Sequence, residues 1–373
     1  MNELSVWPPD FGLPSVDPDC LQFLAAAKFC AYPLQVDNAS PKPWLSPTGR
    51  LPHFKLASDG SQFCEFDAFV EHLKSSKQDV TLNGQLSQKD KDELLAFAAF
   101  LKDRLYPAVL YALWVDDVNY NTVTHFWYSQ QLWFPYSQYW LKRRRNHALD
   151  YVSSLFPSNA LDAVSRRDME SELNRRAIVC LNLLSAKLED KKYFYGDRPS
   201  SLDALAYGLL APLLKLPLPN GRLQSHARAS SPLLRFVEAV TSIYLPLTEE
   251  ELRACRQRSD QWEVRRQRAF KELREADADA DAARTRADGG QRNQSEEADE
   301  YLVSTKLLFG LGAVFLSLGA AFYFGFVPVQ VPRVPPSAGG GHQSTQDAPT
   351  SAQPMAMPQG IDLDSVFREQ QEV

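Results

Sequence analysis

The chain has 373 residues, 44% hydrophobic and 23% charged, with a net charge of −6. That length admits two domains, the composition is that of a globular protein, and the acidic balance argues against a general nucleic-acid binder. Five cysteines, Cys20, Cys30, Cys64, Cys180 and Cys255, are odd in number and widely spaced, which reads as reduced cytosolic thiols and excludes a disulfide framework or a cysteine metal site.

The opening MNELSVWPPDFGLP carries Glu3 and no apolar core, so nothing in it directs secretion. Residues 4–7 read as a strand. Asp17 is a helix N-cap with Pro18 at the first helical position, and the helix is expected to run to about Cys30. A second strand fits 34–36, followed by a proline-broken connection through Trp44 and Pro47. Pro52 stands directly before a third strand, where proline marks an edge strand or a turn. Asp59-Gly60 turns the chain into a strand over 61–64, and 65–74 is expected to be helical. The order β, α, β, β, β, α over residues 1–76 is that of a thioredoxin-like α/β module.

Beyond Ser87 the period becomes helical. Ser87 and Asp90 form a capping pair, and Leu94, Phe97, Leu101 and Leu105 make a core-facing stripe interrupted near Pro107. A second stripe is Leu173, Ala177, Cys180, Leu184 and Leu188. A third, Leu233, Phe236, Val237, Val240 and Tyr244, follows Ser231 as cap and Pro232 in the first turn. Residues 86–246 are therefore read as an all-helical domain. Within it, Asn119 to Trp140 is dense in aromatics and reads as core. The run Lys142, Arg143, Arg144, Arg145 that follows reads as a solvated helix face, or as a basic patch for anionic headgroups or an acidic partner. The strongest local signal is Gly196-Asp197-Arg198-Pro199-Ser200-Ser201-Leu202-Asp203, where Ser200 and Asp203 form a capping box at the start of a buried helix expected to kink at Pro212.

Residues 248–287 favour helix. Leu252, Cys255, Trp262, Ala269, Leu273, Ala276 and Ala280 fall on a 3.5-residue repeat, but Ser259 and Arg266 also occupy its seam, so a single charged helix or a helix docking on a partner is expected in place of a coiled coil. At about 1.5 Å per residue it would reach up to roughly 60 Å. Residues 288–306 form a polar, flexible linker. The run 307–327, LLFGLGAVFLSLGAAFYFGFV, has no formal charge and no proline. At about 1.5 Å per residue it covers roughly 30 Å, the thickness of a hydrocarbon core, and reads as a transmembrane helix. Its apolar body is Leu307, Leu308, Phe309, Leu311, Val314, Phe315, Leu316, Leu318, Phe322, Phe324, Phe326 and Val327. Ala313, Ser317, Ala321 and Gly325 recur every four residues as a face for close helix packing within the bilayer. Arg286, Arg292 and Lys306 before the span, against Arg333 after it, bias the N-terminal side to the cytosol. Residues 328–373, rich in proline, glycine, serine and glutamine, read as a disordered tail.

A thioredoxin-like half, a proline before its third strand and a helical half with a G-D-x-P-S-x-x-D capping box together resemble the glutathione-transferase fold. With the opening LSVWPPDFGLPSVDPDCL, the segment Lys42-Pro43-Trp44-Leu45-Ser46-Pro47, Trp114-Val115, Asn119-Tyr120 and Tyr193-Phe194-Tyr195-Gly196-Asp197, residues 4–246 resemble the metaxin family, nearest its metaxin-1 and metaxin-3 branch. The resemblance implies a non-catalytic scaffold, without a cofactor, in the mitochondrial outer membrane and facing the cytosol. It further implies a subunit of the sorting and assembly machinery that inserts β-barrel precursors, beside a barrel-assembly pore and a second metaxin. An adaptor role at membrane contacts or transport motors is also implied, as is a cis bond before Pro52.

The rival reading is a membrane-anchored glutathione transferase or thiol reductase. It would use Ser15 or Cys20 at the start of the first helix to activate a glutathione sulfur. The stretch after the cis proline reads Cys64-Glu65-Phe66-Asp67, with phenylalanine where transferases hold the serine that binds the γ-glutamyl group. The six histidines, His53, His72, His125, His147, His226 and His342, have no metal spacing, and no glycine-rich phosphate loop is present.

Overall fold

A computed structural model describes residues 2–76, 81–156 and 166–288. The first half is a four-stranded sheet of order β2-β1-β3-β4. β1 (Glu3–Ser5) runs parallel to β2 (Gln35–Asp37) and antiparallel to β3 (His53–Lys55), which pairs antiparallel with β4 (Gln62–Phe63). β3 is thus an interior strand, so of the two readings of Pro52, an edge strand or a turn, the edge strand does not hold. The proline stands just before the first paired residue, so the ladder never calls on its missing N–H. β1 also ends earlier than expected, because Trp7 turns inward to an aromatic cluster at the Pro8-Pro9 turn.

Helix α1 (Pro18–Phe29) starts where Asp17 accepts from the backbone amides of Asp19 and Cys20, both at 3.1 Å. It is buried on nearly all sides, as a helix without a polar stripe must be. α2 (Phe66–Ser75) completes this half, its Phe69, Val70 and Leu73 facing the core. α3 is a rod over 88–115 that begins at the expected Ser87–Asp90 capping box. It does not break at Pro107. A wide π-helical turn, Leu101–Leu105, in which the Tyr106 amide bonds the Leu101 carbonyl, comes directly before Tyr106–Leu110, so the proline enters where the regular bonding register has already shifted. A second such turn, Tyr111–Val115, ends the rod.

Asp116 caps the next helix, α4 (residues 117–131), and α5 (Tyr136–Ser154) follows. α6 (Arg166–Leu188) buries Leu173, Ala177, Cys180, Leu184 and Leu188, the whole of its expected stripe. α7 (Ser201–Lys215) runs through Pro212 with both faces covered; α8 (Arg222–Ala229) and α9 (Ser231–Tyr244) close the bundle. The cap of α9 is Ser230, one residue before the expected Ser231, and its hydroxyl bonds Ser185 Oγ at 2.8 Å.

The two halves share one core. α1 lies against α7, and a Cβ on Gly208 would sit 2.3 Å from Gln22 Cγ and 2.7 Å from the Pro18 carbonyl, so only glycine permits this approach. Trp7 packs edge-on to Trp127 and Tyr128, Trp127 Nε1 donates to Asp10 at 2.8 Å, and Trp140 Nε1 donates to the Gly49 carbonyl at 2.9 Å. These bonds satisfy the polar ends of large buried rings and tie the helical half to the sheet half.

The last helix, α10 (Glu249–Asp288), is the charged helix expected over 248–287. It docks on the chain's own body. Trp262 is buried between Phe11 and Phe126, with ring centroids 5.0 and 5.5 Å away, and Arg265 lies 3.7 Å over the Phe126 ring. Arg258 pairs with the buried Asp10 at 3.4 Å. The 3.5-residue repeat is therefore an intramolecular docking face, and Arg258 and Arg265, each one residue before the polar seam positions Ser259 and Arg266, find a carboxylate and an aromatic ring. The flexible linker, the span 307–327 with its packing face, and the tail lie outside the described residues. Among the described residues no helix is long and apolar enough to cross a membrane.

Candidate functional site

Where the halves meet, α1, the segment before β3, the β4–α2 turn and helices α3, α5 and α7 enclose a cleft of about 460 Å³. Pro52, after a cis Leu51–Pro52 bond, lines it together with Arg50, Cys64, Glu65, Phe66 and Tyr106. Cys64 lies between β4 and α2, its sulfur 3.5 Å from Ser46 Oγ. Phe66 is the first residue of α2 and packs toward Phe23 at 6.1 Å, so an apolar ring occupies the wall at the start of that helix. Lys102 reaches across to Asp67 at 2.5 Å.

Behind the cleft lies a group of buried charges. Arg144, from α5, is 7% exposed and stacks 5.2 Å over Trp114. Burial works against its charge, but Tyr106, Asp19 and Asp17 more than offset this and hold it protonated. Asp17, the α1 cap, is pushed up to about 6 by burial and by the neighbouring Asp19, against the pull of Arg144. Tyr128 donates to Asp17 at 3.3 Å. Arg144 thus acts as internal counter-ion to the acidic first turn of α1.

The residues considered for thiol activation, Ser15 and Cys20, are both fully buried, and neither lines the cleft. Burial and the adjacent Asp17 push the Cys20 thiol well above its ordinary value, opposite to what a nucleophilic thiolate needs. The Tyr106 hydroxyl is likewise raised, by burial and Asp19. The thiol on the cleft wall is Cys64, which sequence reasoning passed over in favour of the start of α1; its place right after β4, beside the proline-led strand, was the available signal. Among the described residues no group of histidine, cysteine, aspartate and glutamate could hold a metal ion.

The basic run does not form one patch. Lys142 and Arg143 are exposed, Arg144 faces the core, and Arg145 bonds Asp117 and stacks 4.1 Å over Tyr120. A helical period separates neighbours by about 100°, so four consecutive residues cannot share a face. At the second motif, Asp203 is fully buried and accepts from the Phe194 amide at 3.0 Å, the Ser200 amide at 2.8 Å and the Ser200 hydroxyl at 2.6 Å. Burial pushes its carboxyl up to about 6. Gly196 takes φ +102, a conformation that favours glycine, and Asp197 is exposed. Two residues not singled out as structural clamps complete this half. Asn83 bonds the Ser201 amide and hydroxyl at 2.8 and 2.7 Å, and Asn119 exchanges bonds with the Asn220 backbone at 3.0 and 2.8 Å.

Residues 20–145 match the model of a family described as outer mitochondrial membrane transport complex protein, and 177–240 match the glutathione S-transferase C-terminal domain. The chain is 41% identical to a metaxin-1 homolog of Caenorhabditis briggsae over 330 residues, covering 88% of this chain and 98% of that one. It is 34% identical to mouse metaxin-1 over 68% of this chain and 78% of the relative. Against Xenopus laevis metaxin-3 it is 37% identical over 65% of this chain and 77% of the relative. Among solved structures, a beta-etherase of Sphingobium (TM-score 0.45, 15% identity, 68% of this chain and 99% of that one) and a glutathione S-transferase of Ceriporiopsis subvermispora bound to glutathione (TM-score 0.44, 14% identity, 67% and 99%) are similar to it.

Proposed function

The chain belongs to the metaxin family, and from that membership we propose that it is a non-catalytic scaffold subunit of the mitochondrial outer-membrane sorting and assembly machinery. It takes part in inserting β-barrel precursors, beside a second metaxin and the barrel-assembly pore. The helix of 307–327 anchors it, the body faces the cytosol, and the face of Ala313, Ser317, Ala321 and Gly325 packs against a neighbour in the bilayer. Support comes from the transport-complex family model over 20–145.

One observation carries the non-catalytic part. The transferase-like cleft is kept, but Ser15 and Cys20 are turned into the core, burial raises the Cys20 thiol well above its ordinary value, and Phe66 stands where the γ-glutamyl group would need a hydrogen-bonding partner. Recognition and positioning, not bond chemistry, are then the work of the body.

Cys64 is the specific observation that favours the rival thiol-transfer reading, because its sulfur lines the cleft. The test is to replace the chain in mitochondria by Cys64→Ala or Cys20→Ala variants and follow insertion of a radiolabelled β-barrel precursor. A scaffold keeps wild-type insertion with either variant. Loss of insertion by a Cys64→Ala protein with an unchanged melting profile would instead make the thiol functional.

A further inference from the structure

The aromatic-rich stretch 119–140 is divided by the fold. Tyr120, Trp127, Tyr128 and Trp140 enter the core, whereas Trp133, Phe134 and Tyr139 at the α4–α5 turn are 59%, 80% and 61% exposed. The loop after β2 adds Trp44 and Leu45, exposed 46% and 62%, and the two segments are joined through Tyr136, whose ring lies 5.3 Å from Trp44 and 6.0 Å from Trp133. Contiguous exposed apolar surface of this kind marks an interaction site.

Its charge identifies the partner. From Asn38 to Ser58 and from Val118 to Leu149 there is no aspartate or glutamate, in a chain that carries 46 of them. Lys42, Lys142 and Arg143 flank the rings and are exposed, and Arg143 passes 3.9 Å from where a Cβ on Gly49 would sit. Amphipathic tryptophan and tyrosine bordered by lysine and arginine, with no carboxylate in either segment that supplies them, match the headgroup layer of an anionic bilayer.

We infer that the face formed by Trp44, Trp133, Phe134, Tyr136 and Tyr139, with Lys142 and Arg143, docks directly on an anionic phospholipid surface. The body is thereby held against the membrane by a second contact besides the anchor. The inference rests on the outer-membrane reading above for its use in the cell, but its test separates the two.

Trp7, Trp114, Trp127, Trp140 and Trp262 are buried, so of the seven tryptophans only Trp44 and Trp133 lie open to a quencher from outside. The full chain is mixed with vesicles of brominated phosphatidylcholine, with or without phosphatidylglycerol, and tryptophan quenching and cosedimentation are read together. Quenching is expected on vesicles containing phosphatidylglycerol, lost in Trp44→Phe/Trp133→Phe and reduced by salt. Lys142→Gln/Arg143→Gln should lower the docked-to-undocked ratio about thirtyfold, at about fivefold per basic residue. Both replacements are at exposed positions, so folding is not at stake.

Cosedimentation without quenching would overturn the inference while leaving the anchor in place, and the face would then belong to a protein partner. Quenching in the absence of stable, carbonate-resistant cosedimentation would uphold the lipid contact and remove the anchor. Absence of both would sink both.

Discussion

At Gly208 there is no room for a side chain, because α1 crosses α7 with the Pro18 carbonyl and Gln22 against it. Gly208→Ala must push the helices apart or displace Gln22, and should cost about 1–3 kcal/mol, read as a fall in the urea midpoint of the detergent-solubilised chain. Asp203 is the residue whose effect depends on pH. Its folded pKa of about 6 lies above the unfolded value of 3.8, so folding favours the protonated form. The stability gained is full below 3.8 and is lost as pH rises to about 6. Asp203→Asn lacks that titration but keeps only one of the two oxygens that accept from Phe194 and Ser200, so it should be the less stable protein at low pH. The gap should narrow by about 2 kcal/mol as pH rises through that window. A gap independent of pH would mean that the buried carboxyl ionises normally. Of these two positions only Asp203 was legible in sequence, because a capping box has a fixed spacing. Nothing in the local pattern around Gly208 says which turn of a helix apolar on all sides meets another helix. For the same reason the run 142–145 could be read as basic, but not as divided between solvent and the core.

Helix α10 is where an element's own pattern and its surroundings part. The 3.5-residue repeat was visible, and it marks a docking face. The surface it meets, Asp10, Phe11 and Phe126, comes from two distant stretches and leaves no trace in the helix itself. Trp262→Ala should remove most of that docking, at about 3 kcal/mol for a buried indole, and leave the rest of the fold intact. Hydrogen exchange checks this: amides of 249–276 should lose protection in the variant while α6 and α7 keep theirs. Uniform loss of protection would show that α10 is part of the cooperative core. The π-helical turns before and after Pro107 were likewise illegible, since a proline at helical spacing reads as a break until the wide turn that accommodates it is seen. The cleft was half legible. Pro52 and the Cys64–Asp67 stretch were placed correctly by order, but the inward rotation of Ser15 and Cys20 depends on the depth at which α1 is buried.

For the whole molecule, the two-part architecture followed from the change of period near Ser87, from alternation and turns to helical stripes, and the family from several motifs in one order. The proposed membrane attachment rests on the charge-free run 307–327 and makes its own prediction. Removing residues 302–331 should release the chain from mitochondrial membranes at alkaline carbonate, whereas continued carbonate-resistant association would refute that assignment. Purifying the tagged full-length chain from mitochondria in mild detergent, with glutathione conjugation assayed on the same eluate, distinguishes a scaffold on a transferase-like body from an enzyme. A β-barrel-assembly pore and a second metaxin should copurify, and the eluate should not turn over glutathione. A solitary protein that conjugates glutathione would contradict the scaffold reading.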